Sequence, residues 1–211
     1  MLKILLVLIS IVAVGVGIAI APSFLAHQQT IAPITSITPQ KPSPPIVEAA
    51  RSQVGVTLRY DPSYQKLSYP GGDVPIEVGV CTDVIIRALR KSHNLDLQKL
   101  LHEDMKKNFA RYPKTWGLSR PDRNIDHRRV PNLQTYFKRR GWQLPLVKEA
   151  ERFKPGDIVT CIVPPHLPHI MIVSDKLSPE GRPLVIHNIG AGAQEEDMLF
   201  ELELTGHYRI K

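Results

Sequence analysis

The chain has 211 residues and carries 27 Lys and Arg against 20 Asp and Glu, a net charge of +7. That length holds one domain with a sizeable core plus appendages. The basic residues cluster between Lys106 and Arg152. No zinc-finger spacing, phosphate-loop glycine motif or aromatic-interleaved RNA-binding pattern accompanies them, which argues against nucleic acid and for polyanionic or carboxylate-bearing material.

After Met1-Leu2-Lys3 the run from Ile4 to Ala21 is aliphatic apart from Ser10, Gly15 and Gly17. Such a run is a secretory core or a membrane-spanning helix, so residues 1–26 are expected to be a signal peptide or an N-terminal membrane anchor. Ala19-Ile20-Ala21 offers a small-x-small cleavage pattern, while Pro22 directly after it hinders cleavage. Residues 27–44, rich in Gln, Thr, Ser and Pro without a sustained period, are expected to be a linker. The folded domain is then residues 45–211, exported to the periplasm and held at the inner membrane if residues 4–21 are retained.

Ser43-Pro44-Pro45, followed by Ile46, Val47, Ala50 and Val54, predicts a capped amphipathic helix ending at Gly55. Tyr60-Asp61-Pro62-Ser63-Tyr64 and Tyr69-Pro70-Gly71-Gly72-Asp73 read as loop, with Tyr60 a candidate pocket wall and Tyr64 and Tyr69 covers for the core edge. Next comes Val80-Cys81-Thr82-Asp83, where Val84, Ile85, Ala88 and Leu89 recur at helical spacing. Cys81 thus falls at a helix N-terminus, whose free N–H groups favour a thiolate and an adjacent oxyanion. Two readings stand: a nucleophile, if a histidine reaches it, or a buried small side chain or disulfide half. Asp83 either caps this helix or meets substrate.

Leu97, Leu100, Leu101, Met105 and Phe109 continue a helical stripe. His102, Glu103 and Asp104 between them are adjacent on a helix and point in different directions, so they do not form one ion site. No dedicated metal spacing occurs anywhere, and no metal or cofactor is expected. The polar run Asp122 to Arg129 is a loop, and Asp126, His127, Arg128 and Arg129 are either a clamp for substrate carboxylates or an ion-paired brace for the helix from Pro131 to Gly141.

The C-terminal third changes character. Ile158–Val163, His169–Ser174 and Pro183–His187 are β-branched runs separated by turns, and Tyr208-Arg209-Ile210 closes the set. Helices first and strands afterwards predict an α+β fold with helices packed on a mostly antiparallel sheet. If the strands bearing His169 and His187 pair as a hairpin, the two imidazoles reach one end of the sheet. Cys81, His169 and His187 then stand as nucleophile, base and orienting group. Cys161, mid-strand among apolar neighbours, is an inert thiol unless it bridges Cys81.

This arrangement resembles the NlpC-type cysteine peptidases and amidases of the bacterial cell wall, with a cysteine opening a helix, a Pro155-Gly156-Asp157 turn into a strand, a strand led by His169 and a further strand ending in His187. More closely, Tyr69-Pro70-Gly71-Gly72-Asp73, Gly79-Val80-Cys81-Thr82-Asp83, Ile125 through Leu133 and His187-Asn188-Ile189-Gly190 resemble an exported bacterial family catalogued as a domain of unknown function in the same superfamily. The likeness runs from about Val47 to Ile210. It implies a papain-like NlpC-type fold, catalytic roles for Cys81, His169 and His187, and a substrate or oxyanion contact for Tyr60. It further implies an amide or peptide substrate in the envelope, such as peptidoglycan stem peptides, acted on by a monomer that meets the membrane only through its N-terminal segment. The wall peptidases place Asp before and Ser-Gly after their cysteine, whereas this chain has Val80 before and Thr82-Asp83 after, so the scissile bond does not carry over. A binding module that keeps the pocket without cutting is the alternative.

Overall fold

A computed structural model describes residues 42–211. The expected signal or anchor, and all but the last three residues of the expected linker, lie outside the described residues. Among the described residues four α-helices, α1 (Pro45–Arg51), α2 (Cys81–His93), α3 (Leu97–Asn108) and α4 (Val130–Arg139), precede most of the sheet. The strands are β1 (Arg59–Tyr60), β2 (Val78–Gly79), β3 (Gln143–Leu144), β4 (Ile158–Val163), β5 (Leu167–Leu177), β6 (Pro183–Asn188), β7 (Ala193–Glu196) and β8 (Glu203–Tyr208). β1 and β2 form a short parallel pair, and the other six make one sheet in the order β3-β8-β4-β5-β6-β7 with every neighbouring pair antiparallel. The fold is therefore α+β.

Strand side chains alternate between faces, and here both faces are covered. Ile158, Ile170, Ile172 and Ile186 meet the helices through Val47, Ala50, Val84, Ile85, Leu89, Leu101, Leu133 and Phe137. Val159, Cys161, Met171, Val173 and Val185 form a second core under Phe153 and Leu199. Two buried faces explain why β4 and β5 read as continuous apolar runs instead of alternating ones.

α2 forms because its apolar residues recur on one face and its N-terminus is closed by Asp83, whose Oδ2 accepts the Val80 N–H at 2.7 Å. At its far end Arg90, Lys91 and His93 complement the dipole, and Asn94 turns the chain out of the helix at φ 53°. The helix predicted from Ser43 to Gly55 is shorter, ending at Arg51, and Pro44 occupies its N-cap without a side-chain bond. Ser43 instead donates to Asp175. The stretch between Tyr60 and Val80 is loop as expected, except that its two ends pair as β1 and β2.

Two contacts draw the N-terminal loop to the sheet edge. The Ala193 N–H donates to the Thr57 carbonyl at 2.8 Å, and Gly192 approaches so closely that a Cβ there would lie 2.4 Å from that oxygen. Gly192 also has φ +86°, which disfavours any side chain. Gly192→Ala is expected to cost about 1–3 kcal/mol in urea unfolding, combining backbone strain with the clash. An unchanged midpoint would show that the 57–58 segment is not held there.

Candidate active site

Cys81 is the first residue of α2 and is buried. The backbone N–H groups of Ile170 and Thr82 lie near its sulfur and favour its charged form. Ile170 directly follows His169, so the sulfur sits against the stretch of β5 that carries the imidazole. Antiparallel pairing of β5 with β6 sets His169 and His187 on adjoining strands, where His169 Nε2 and His187 Nδ1 are 2.8 Å apart with the rings nearly perpendicular. His169 and His187 thus meet directly, and the Cys81 sulfur lies against Ile170, the residue that follows His169 on β5. Cys81 and Cys161 are both free thiols.

Charge is disfavoured throughout this cluster. Burial pushes the Cys81 thiol up to about 12, and burial pulls His169 down to about 3 and His187 to about 4. The resting groups are a neutral thiol and two neutral imidazoles, and the N–H groups of Ile170 and Thr82 offset only part of the desolvation of the thiol.

The segment carrying Cys81 is held from three sides. Asn188, at the end of β6, donates to the Gly79 carbonyl at 3.0 Å and accepts from the Gly190 N–H. Gly79 leaves room for Asp83, whose carboxylate would lie about 3.1 Å from a Cβ there. Arg128 donates to Asp83 from Nε at 3.0 Å and from Nη2 at 2.9 Å, and its remaining N–H groups reach the carbonyls of Asp61 and Ser63. One buried guanidinium therefore ties the helix start to the loop that follows Tyr60.

A cavity of about 410 Å³ opens beside the sulfur, within the usual range for a small-ligand site. Tyr60, Cys81, Arg129, Trp116, His166 and Pro168 are among its walls. Burial raises the Tyr60 phenol to about 12, keeping it a neutral hydrogen-bond donor. Tyr64 and Tyr69 lie elsewhere: Tyr64 bonds Asp122, and Tyr69 packs edge-on against His102.

The Asp126–Arg129 stretch divides. Asp126 accepts the Asp122 N–H and pairs with Arg129, while His127 is buried and held near 4 by desolvation. Arg128 also borders the cavity, but its donors are taken by Asp83 and two carbonyls. Arg129 lines the cavity and lies 4.1 Å over the Trp116 ring. Asp83, with its carboxylate bound to Arg128 and Val80, faces inward. The sequence reading overlooked Trp116 and His166. The available signal was an aromatic in a polar Lys114-Thr115-Trp116-Gly117 turn and a histidine between prolines. Among the described residues no three His, Cys, Asp or Glu side chains group to hold a metal ion.

Fold and cluster together define an α+β protein with a buried His169–His187 pair and, opening a helix nearby, a buried cysteine that lines a cavity. Residues 47–210 match the family described as a domain of unknown function (DUF1287), and the chain belongs to that family. It is 60% identical over 164 residues to the "Uncharacterized protein YijF" of Escherichia coli (strain K12), an alignment covering 78% of this chain and 80% of that protein.

Two outcomes follow from the geometry. Arg128→Ala leaves Asp83 as an unpaired buried charge, and a loss of about 3–5 kcal/mol is expected. A loss below about 1 kcal/mol would mean that water compensates. For acid, the unfolded chain protonates its histidines near pH 6.5, whereas His127, His169 and His187 resist protonation until about pH 4, 3 and 4. The unfolded state then binds more protons, so stability falls as pH drops below about 6.5, by up to about 4 kcal/mol per pH unit for three such groups. Urea midpoints that stay level from pH 7 to pH 5 would refute the neutral-imidazole assignment.

Proposed function

We propose that this protein is an exported thiol hydrolase of the papain-like NlpC type that cleaves an amide or peptide bond in the cell envelope, with peptidoglycan stem peptides as the substrate class. The observation that carries this reading is the His169–His187 bond at 2.8 Å on the strand whose next residue, Ile170, lies against a sulfur that opens a helix. An orienting imidazole behind a basic imidazole, next to a nucleophile, is the arrangement acyl transfer requires.

In this scheme the Cys81 thiol transfers its proton to His169 as the sulfur attacks the carbonyl carbon. Because burial disfavours a resting thiolate, proton transfer and attack are coupled. N–H groups at the start of α2 stabilise the developing oxyanion, with the Tyr60 phenol available as a further donor. His169 returns the proton to the leaving amine, and a thioester remains. Water, deprotonated by His169, then cleaves the thioester, releasing the acid and restoring the thiol. His187 holds the ring of His169 throughout. Arg129 is the cavity cation available for a substrate carboxylate.

Export rests on the aliphatic run Ile4–Ala21. The domain then works on the outer side of the cytoplasmic membrane, either released or tethered by that run. A second reading, a binding module that does not cut, draws support from the depth of Cys81 and the height of its pKa.

Incubation of the purified protein with isolated sacculi, followed by mass analysis of released fragments, separates the two. The hydrolase releases fragments that Cys81→Ala and His169→Ala do not, with losses of at least about 100-fold. Equal release by wild type and Cys81→Ala would end the thiol mechanism. Sacculus binding without release, unchanged in Cys81→Ala, would favour the module.

A further inference from the structure

His187 has a second ring nitrogen. Its Nε2 is fully buried and makes no hydrogen bond among the described residues, and Glu196 Oε1 lies 3.7 Å away. The placement follows from register. His187 pairs with Gln194 and Val185 with Glu196 across β6 and β7, so Glu196 is a diagonal neighbour of His187 on the same face of the sheet. The Glu196 side chain is 40% exposed and that of His187 is fully buried, so the carboxylate rests near the surface on the side of His187 away from His169.

We propose that Glu196 is a positioning residue that selects the tautomers of His187 and His169. The inference rests on the hydrolase reading for its functional meaning and on geometry for its substance. Between His169 Nε2 and His187 Nδ1 there is one proton and two ways to place it. If His187 donates, its Nε2 is a bare lone pair facing a carboxylate, and His169 must carry its own proton on Nδ1. Nδ1 is the one nitrogen left to His169 for the thiol, and in that tautomer it accepts nothing. If His169 donates, its Nδ1 is free to take the Cys81 proton, and His187 carries N–H at Nε2, aimed at Glu196. A carboxylate there favours the second state and opposes the first. It also places negative charge behind the pair when His169 becomes an imidazolium.

The gap of 3.7 Å is longer than a hydrogen bond, and a side-chain rotation by the partly exposed Glu196 closes it. A carboxylate behind an imidazole is a recurring way to fix ring and tautomer.

The test uses the full chain with nitrogen-15-labelled histidine. NMR at neutral pH is expected to find the proton of His187 on Nε2 and that of His169 on Nε2. Glu196→Ala should populate the opposite tautomers, and Glu196→Gln, which keeps an acceptor oxygen, should restore the original ones in large part. Alkylation of Cys81 by iodoacetamide should slow about 10- to 100-fold in Glu196→Ala, the range typical when the partner of a functional imidazole is lost, and less in Glu196→Gln. Thermal melts of both variants check folding. A wild-type His187 protonated on Nδ1, or tautomers and alkylation rates indifferent to Glu196→Ala, would overturn the proposal. These readouts need no hydrolysis, so an inert protein with the expected tautomers would sink the hydrolase reading and leave the role of Glu196 standing.

Discussion

The buried pair between Asp83 and Arg128 is the constraint on which the site depends. Both side chains are almost wholly withdrawn from solvent, and each is fully engaged: Asp83 closes the first turn of α2, and Arg128 spends its remaining donors on the carbonyls of Asp61 and Ser63. A buried ion pair adds little net stability when compared with apolar packing, but loss of one partner is severe. Its contribution is positional. It fixes the start of α2, the loop behind Tyr60 and residues Asp126–Arg128, which form one turn of 3-10 helix where the sequence reads as loop, relative to one another, and the cavity lies among these three.

The sheet supplies the other half. β5 is long enough to extend past the pairing with β6, leaving the backbone of Ile170 near the Cys81 sulfur while His169 meets His187. Asn188 then links the end of β6 back to Gly79, two residues before the nucleophile candidate. Helix and sheet meet through polar contacts at this end and through the large aliphatic core along the rest of their length. A rigid apolar body with a small hydrogen-bonded rim suits a site whose geometry must hold to fractions of an ångström.

What the sequence disclosed and what it withheld follow from how far each signal reaches. α2, β4 and β5 were legible because their apolar periods are long and unmixed, and the meeting of His169 with His187 followed from expecting a hairpin. β3 and β7 were not legible: Gln143-Leu144 and Ala193 to Glu196 are short and mostly polar, and only a neighbouring strand makes them extended. The polar run Asp122 to Arg129 showed its charge but not its direction, since burial of Asp126, His127 and Arg128 depends on which helix packs above them. Trp116, His166 and Glu196 sit near the cavity or the imidazoles only because distant segments fold together. No local pattern marks them.

The sheet ends on one side with the two residues of β3 and on the other with the four of β7. An exposed strand margin is a template on which another chain can add itself, and natural proteins blunt that risk by keeping the margin brief and charged. Here one margin is almost too short to pair with, and the other has its Ala193 N–H already taken by Thr57 and carries the partly exposed Glu196. A neighbouring molecule docking along β7 would have to displace the Thr57 segment and set its own backbone beside the Glu196 carboxylate, so the flank nearest the paired imidazoles is guarded against intermolecular zippering.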